Sequence, residues 1–291
     1  MEGSSTTAEY VALFRALESA RGSDRLFQDR LACRLLAHRY RWLVELALLP
    51  LVGRGVSWCI DWGWPGSRSS AVVRTRVIDD AVVAALADGV AQLLVLGAGL
   101  DSRAWRLPGV ERARAFEVDH PSTQAEKRHR VGATGVDPGV TFVSIDLVGG
   151  GLTNALMEAG FDPTTRSVVV WEGVTNYLDE ASVDRTLAAL AKLMSERSTL
   201  VMTYVVPALV DGSHPSREAL RWAGRVRRVG EAFTFGSEPA TMSLRLSRHG
   251  FEVVADESTA EAARRLARSG TRREAGSEFY RVVAARRRCR A

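Results

Sequence analysis

Lysine is nearly absent from this chain: only Lys127 and Lys192 stand among its 39 basic residues, and arginine supplies the rest. Beside abundant alanine, glycine and valine, that bias reflects the base composition of a coding genome rather than a surface built for phosphate. The net charge of +5 is small against 34 acidic residues, so nucleic acid is not implied as a partner. The one dense basic run, "AARRRCRA" at 284–291, reads as a solvated terminus. Cysteine is scarce and odd in number: Cys33, Cys59 and Cys289 lie far apart. That excludes a disulfide framework and a zinc-ligand spacing, and it suits a reducing cytosol. No apolar run reaches the ~20 residues of a membrane-spanning helix; the longest, at 42–53, is broken by Glu45 and Pro50. No basic start followed by an apolar stretch opens the chain, so a cytoplasmic location is expected and no membrane partner. The five histidines form no His-x-x-x-His pair, so no metal centre is expected.

What is present is enough apolar material for a sizeable core, 46% of 291 residues, which favours one large domain with an appended segment. From about residue 90 short apolar runs alternate with helical stretches, the pattern of parallel βαβ units. The runs at 92–96, 113–118, 140–145, 167–171, 199–205, 251–255 and 278–285 read as strands. Helices are expected near 121–131, 151–160, 180–195, 215–229 and 238–249. The first five strands look parallel; periodicity leaves the pairing around 256–277 open. Residues 1–90 carry helical periods at about 6–20, 28–48 and 70–88, interrupted by "SWCIDWGWPGSRSS" at 57–70. The expected architecture is a seven-stranded α/β core over 71–291 under a helical N-terminal cover, 1–70.

The stretch "LLVLGAGLDSRAWRL" at 93–107 runs a buried strand into Gly97-Ala98-Gly99 and then Asp101. A glycine turn after a strand cradles a nucleotide. The dinucleotide fingerprint wants a third glycine three residues on, where this chain has Ser102. Asp101 also places a carboxylate where a pyrophosphate would lie. Both departures favour a cofactor that presents an ammonium and a sulfonium over one that presents two phosphates. The second strand ends in "FEVDHP", whose Glu117 and Asp119 fall on one side of the strand about 20 residues after the glycines, as a ribose-binding acid does. Asp119, nearer the carboxyl end, is the better placed. Asp146 ends the third strand in "SIDL", placed for an adenine amino group, and Glu172 ends the fourth in "VVVWEGVTNYL".

With those motifs the chain resembles the S-adenosylmethionine-dependent methyltransferases related to leucine carboxyl methyltransferase, a branch that includes bacterial polyketide carboxyl O-methyltransferases. "DRLFQDRLACRLL" (24–36), "VVRTRVIDDAV" (72–82), the glycine turn, "FEVDHPSTQAEKR", "SIDL" and "WEGVTNYLDE" carry the resemblance, in order, over most of 24–180. It implies a class I methyltransferase, Rossmann-like seven-stranded sheet with the last strand antiparallel, and S-adenosyl-L-methionine as cofactor. It further implies Arg74 on the cofactor's methionyl carboxylate, with Arg76 as rival. Gly97 would lie behind the methionyl chain, Asp119 on the ribose, Asp146 and Leu147 on the adenine, and Glu172 on the ammonium side, with Gly99 and Asp101 of the glycine turn also binding the cofactor. The Trp-rich segment matches nothing in the family's pattern.

Methyl transfer from a sulfonium is an in-line displacement, so the protein mainly aligns two reactants in a dry site. A carboxylate acceptor, with a pKa of about 4, is already ionised and needs no base; a phenol, at about 10, benefits from one. The candidate bases are His214, after the fifth strand, and His38, in the cover. Trp58, Trp62 and Trp64, with Tyr177 and Tyr204 near strand ends, are candidates to line an acceptor pocket. The expected activity is O-methylation of a small-molecule carboxylate, polyketide-like or aromatic, in secondary metabolism. A phenolic hydroxyl, a protein C-terminal carboxylate, and a non-catalytic cofactor-binding role are the alternatives.

Overall fold

The computed structural model describes residues 6–49, 55, 60, 62, 66–135, 139–228 and 230–289. Its centre is one seven-stranded sheet, built from β1 (Gln92–Leu96), β2 (Arg114–Asp119), β3 (Val140–Ser144), β4 (Ser167–Trp171), β5 (Thr199–Val205), β6 (Phe251–Ser258) and β7 (Tyr280–Arg287). The spatial order is β3-β2-β1-β4-β5-β7-β6. Strands β1 to β5 pair in parallel, and β7 runs antiparallel between β5 and β6. The order reverses at β1, which lies between β2 and β4, and ligands of such sheets bind outside the carboxyl ends at that reversal. Strands β1 and β4 are buried along their whole length, which is why both read as unbroken apolar runs instead of alternating.

Some of the framing helices have a readable start. Helix α1 (Thr6–Ser19), α2 (Ala32–Leu35), α3 (His38–Ala47) and α4 (Ser67–Ala87) precede the sheet. Helix α5 (Pro121–Gly132) follows β2 directly, with Pro121 at its first position, where a missing N–H costs nothing. Helix α6 (Glu180–Leu193) is capped by the Asp179 carboxylate, which accepts from the Ser182 N–H at 2.6 Å, and buries Val183, Leu187 and Leu190 as one stripe. Helix α7 (Arg217–Arg228) buries Ala219, Trp222 and Val226 and exposes Arg217, Arg221, Arg227 and Arg228. Two further helices span Leu152–Glu158 and Pro239–Arg248.

Several sequence expectations need correction. The helical period at 28–48 is two helices, because the buried Asp29 carboxylate accepts from the Leu31 and Ala32 N–H groups and Leu36–Ala37 is extended. The sixth strand continues past 255 to Ser258 through a bulge between Val253 and Ala255. The segment after it holds helix α8 (Thr259–Arg268), started by a capping box in which Ser258 and Glu261 exchange side-chain bonds to each other's backbone. A boundary at residue 70 falls inside α4. The cover is also no separate layer: α1, α2 and α3 share one apolar cluster with Leu100 of the glycine turn and Val131 of α5.

Candidate active site

The carboxyl ends of β1 to β4 open into one cavity of about 620 Å³. Every cofactor-side residue expected from the sequence lies on its wall: Arg74, Gly97, Gly99, Asp101, Asp119, Asp146, Leu147 and Glu172. Gly97 has φ +60°, and a Cβ there would lie 2.2 Å from Cγ2 of Val174, so both backbone and space demand glycine. Gly99 lies under α1, close to the Ala8 methyl.

Asp119 is held by the turn it faces. The Gly99 N–H donates to one of its oxygens at 2.5 Å and the His120 N–H to the other at 2.7 Å. Burial raises its pKa, and these two bonds oppose that rise. A carboxylate has about four lone-pair sites, so two remain for hydroxyl donors. Its rival, Glu117, is off the wall, buried and paired with Lys127 at 2.6 Å.

Behind the turn lies a buried ionic network. Arg103, with no exposed surface, bonds Asp79 at 2.8 Å, Asp101 at 2.5 Å and Glu172 at 2.7 Å. Glu172 receives Arg74 Nε on its other oxygen at 2.7 Å. Although burial pushes the Glu172 and Asp101 carboxyls up, the neighbouring arginines outweigh it and hold both below the ordinary carboxylate range. Arg74 also lies over the Tyr280 ring, 4.7 Å from its centre, and is buried. Arg76, two residues along α4, instead pairs with Asp80 at 2.8 Å and donates to the Leu26 carbonyl. Helical spacing therefore separates two arginines the sequence left as rivals.

The same cavity also has an apolar and aromatic lining. Phe14 of α1, Trp222 and Val226 of α7, Phe233 and Tyr280 line it, with Tyr177. Tyr177 packs against Phe233 with ring centres 5.6 Å apart, and burial pushes its phenol well above the ordinary range. Tyr204 is a correction: alternation along β5 turns it into the core with Met202, where its hydroxyl donates to Asp256 at 2.5 Å. His214 is another, packed edge-on against Phe279 with its Nδ1 accepting from the Ser216 N–H and absent from the wall. His38 starts α3 on an exposed surface, also off the wall. Trp62 is 78% exposed and lines nothing in the cavity; Trp58 and Trp64 lie outside the described residues. Among the described residues no group of three or more His, Cys, Asp or Glu is arranged to hold a metal.

The sequence reading did not single out Arg103, Asp79, Asp29 or Arg15. Asp29 accepts from the Ser102 hydroxyl at 2.6 Å and lies 3.6 Å from Arg15, which donates to the Leu100 carbonyl at 2.5 Å. The cover thus buttresses the glycine turn directly. Arg103 stood in the quoted "LDSRAWRL", but nothing in spacing alone marks one arginine among so many.

The sequence model of the leucine carboxyl methyltransferase family matches residues 8–191, and the chain belongs to that family. A protein from a Parafrankia species, provisionally named an S-adenosyl-L-methionine-dependent methyltransferase, is 33% identical over 231 residues, covering 79% of this chain and 70% of its own. A Streptomyces coelicolor protein of the same provisional name is 32% identical over 228 residues, covering 76% and 77%. Two crystal structures share the fold. One, from Thermobifida fusca and provisionally named a methyltransferase, has a TM-score of 0.60 at 17% identity and covers 99% of this chain and 96% of its own. The other, a DUF574 family protein from Streptomyces avermitilis, has a TM-score of 0.61 at 14% identity and covers 98% of each chain.

Proposed function

We propose that this protein is an S-adenosyl-L-methionine-dependent O-methyltransferase that esterifies the carboxylate of a small apolar or aromatic acceptor in biosynthesis. The observation that carries the reading is the make-up of one cavity, whose wall combines carboxylates at successive strand ends with a set of aromatic rings. The donor set fits the cofactor. The Arg74–Glu172 pair sets a cation beside an anion at 2.7 Å, the complement of an amino-acid zwitterion, and Asp119 keeps acceptor sites for two ribose hydroxyls. Asp146 and Leu147 would hold the adenine. A pyrophosphate would meet Asp101, Asp119 and Glu172 instead of donors. When bound, S-adenosyl-L-methionine supplies an electrophilic methyl on a sulfonium. The chain's own part is to hold the nucleoside on the acid side, to align the acceptor against Tyr177, Phe233 and Trp222, and to exclude water.

No proton needs to leave a carboxylate acceptor, and the one histidine on the wall, His120, lies beside the ribose acid rather than among the rings. The scarce cysteines agree with a cytosolic setting, and among the described residues no helix is long and apolar enough to cross a membrane.

Calorimetry tests the cofactor: S-adenosylhomocysteine should bind and nicotinamide dinucleotides should not, and the reverse order would overturn the reading. For the acceptor, mass spectrometry of the product formed from candidate acids should show the methyl on the carboxylate as an ester. A methyl found on a hydroxyl instead, with the acid left free, would overturn the carboxylate reading.

Arg74 and Arg76 provide an internal control. A charge-assisted bond contributes about 1.5–3 kcal/mol, so Arg74→Ala should weaken S-adenosylhomocysteine binding by tens of fold. Arg76→Ala removes a surface pair and should leave affinity within about twofold. Equal effects in the two variants would remove Arg74 from the site.

A further inference from the structure

Tyr280 opens β7 opposite Val205 of β5, beyond residues 8–191 that the family's sequence model matches. Its ring is clamped. The Arg74 guanidinium lies over it at 4.7 Å, and the Trp222 indole stacks on it with centres 5.7 Å apart and planes 10° from parallel. The residue is 2% exposed, yet its hydroxyl makes no hydrogen bond to any described residue and is not sealed in protein. Buried phenols usually find a partner. This one lines the cavity, so the partner it lacks is one that the cavity receives.

Arg74 has donors to spare as well. Its Nε is spent on Glu172 at 2.7 Å, while its terminal nitrogens bond no described residue. Both groups border one gap. Gly173, on the cavity wall with φ +71°, has its N–H committed to the Thr203 hydroxyl at 2.8 Å. A Cβ there would lie 3.9 Å from Arg74 Nη2 and 3.9 Å from Tyr280 Oη. The missing side chain leaves a notch with a guanidinium nitrogen and a phenol hydroxyl at its edge. Two such donors suit a carboxylate, which has about four lone-pair sites. Glu172, bonded to Arg74, narrows the choice. It would repel a bare acid in the notch, whereas the carboxylate of an amino acid arrives with an ammonium that Glu172 can hold.

We propose that Tyr280 is a cofactor-binding residue: with Arg74 it borders a notch at Gly173, where its hydroxyl donates to the methionyl carboxylate. The choice of ligand rests on the methyltransferase reading, and the two fail in different ways.

Tyr280→Phe removes the hydroxyl and keeps the ring against Arg74 and Trp222, so the melting midpoint of the ligand-free chain should stay within about two degrees of wild type. Calorimetry on the full chain then compares S-adenosylhomocysteine with its decarboxylated analogue, S-adenosyl-3-thiopropylamine, which keeps the adenosine and the ammonium. Tyr280→Phe should weaken S-adenosylhomocysteine by about tenfold or more, the effect of one hydrogen bond to a charged acceptor, and leave the analogue within about twofold. Unchanged affinity for S-adenosylhomocysteine overturns the proposal. An equal loss for both ligands overturns it too, because the hydroxyl would then serve the shape of the site and not the carboxylate. Wild-type protein that binds neither ligand would sink the cofactor reading, and the assignment of the notch with it.

Discussion

Arg103→Met should be among the most damaging single substitutions in the chain, lowering stability by about 3–5 kcal/mol, the cost of breaking a buried ion pair from one side. The arginine has no exposed surface and bonds Asp79, Asp101 and Glu172. Removing it leaves Arg106 on Asp79 and Arg74 on Glu172, but Asp101 loses both its nearest cation and a side-chain donor. The measurement is urea unfolding at neutral pH, with the midpoint expected to collapse toward zero denaturant. Lowering the pH should narrow the gap. The folded-state pKa of Asp101 is depressed, so its contribution is present above the ordinary carboxylate pKa and disappears as pH falls through the folded value. A midpoint within experimental error of wild type would show that the three acids find other partners.

The second large effect is on binding. Asp119→Asn keeps the shape of the side chain but replaces a carboxylate with a group that has one acceptor oxygen. The Gly99 and His120 N–H groups already use two of the carboxylate's acceptor sites. With hydrogen bonds to a charged acceptor contributing about 1.5–3 kcal/mol each, S-adenosylhomocysteine affinity should fall by ~10²-fold or more. Thermal unfolding of the ligand-free protein should shift by only a few degrees, because the backbone turn retains one acceptor. Calorimetry and a melting curve on the same sample separate the two quantities. A large loss of stability with modest loss of affinity would make Asp119 a brace for the turn and not a ligand.

Much of this site was legible because strand ends in a parallel sheet are also site positions. Asp119 ends β2, Glu172 directly follows β4 and Asp146 stands two residues after the end of β3, so finding the strands located the acids. Gly97 was legible for the same reason, although its steric partner, Val174, was not. What could not be read were residues brought to the site by tertiary packing. Asp29 is 73 positions from Ser102, whose hydroxyl it accepts from, and no local period links them. Tyr204 and His214 failed in an instructive way. Tyr204 lies in the right strand and His214 follows it, but β5 alternates its side chains and the chain turns at Pro207–Val210, so closeness to a strand end did not bring either one to the cavity. The helix at Thr259–Arg268 was missed although its Ser258-to-Glu261 box was in plain view.

Helix α1 has a role in both halves of the cavity. Phe14 lines the cavity together with the aromatic rings, while its neighbour Arg15 holds the Leu100 carbonyl and Ala8 rests on Gly99. Its first amides, at Thr6 and Thr7, are received by Glu231, in the loop that carries Phe233. Selectivity and nucleoside affinity are therefore not interchangeable modules in this scaffold. A library that randomises the N-terminal segment to change the acceptor also samples the seating of the glycine turn, and many of its failures will be losses of cofactor rather than of specificity. A segment transplanted from a relative has to bring counterparts of Arg15, Asp29 and Glu231 with it, or the new acceptor pocket will be built around a turn that no longer holds its ligand.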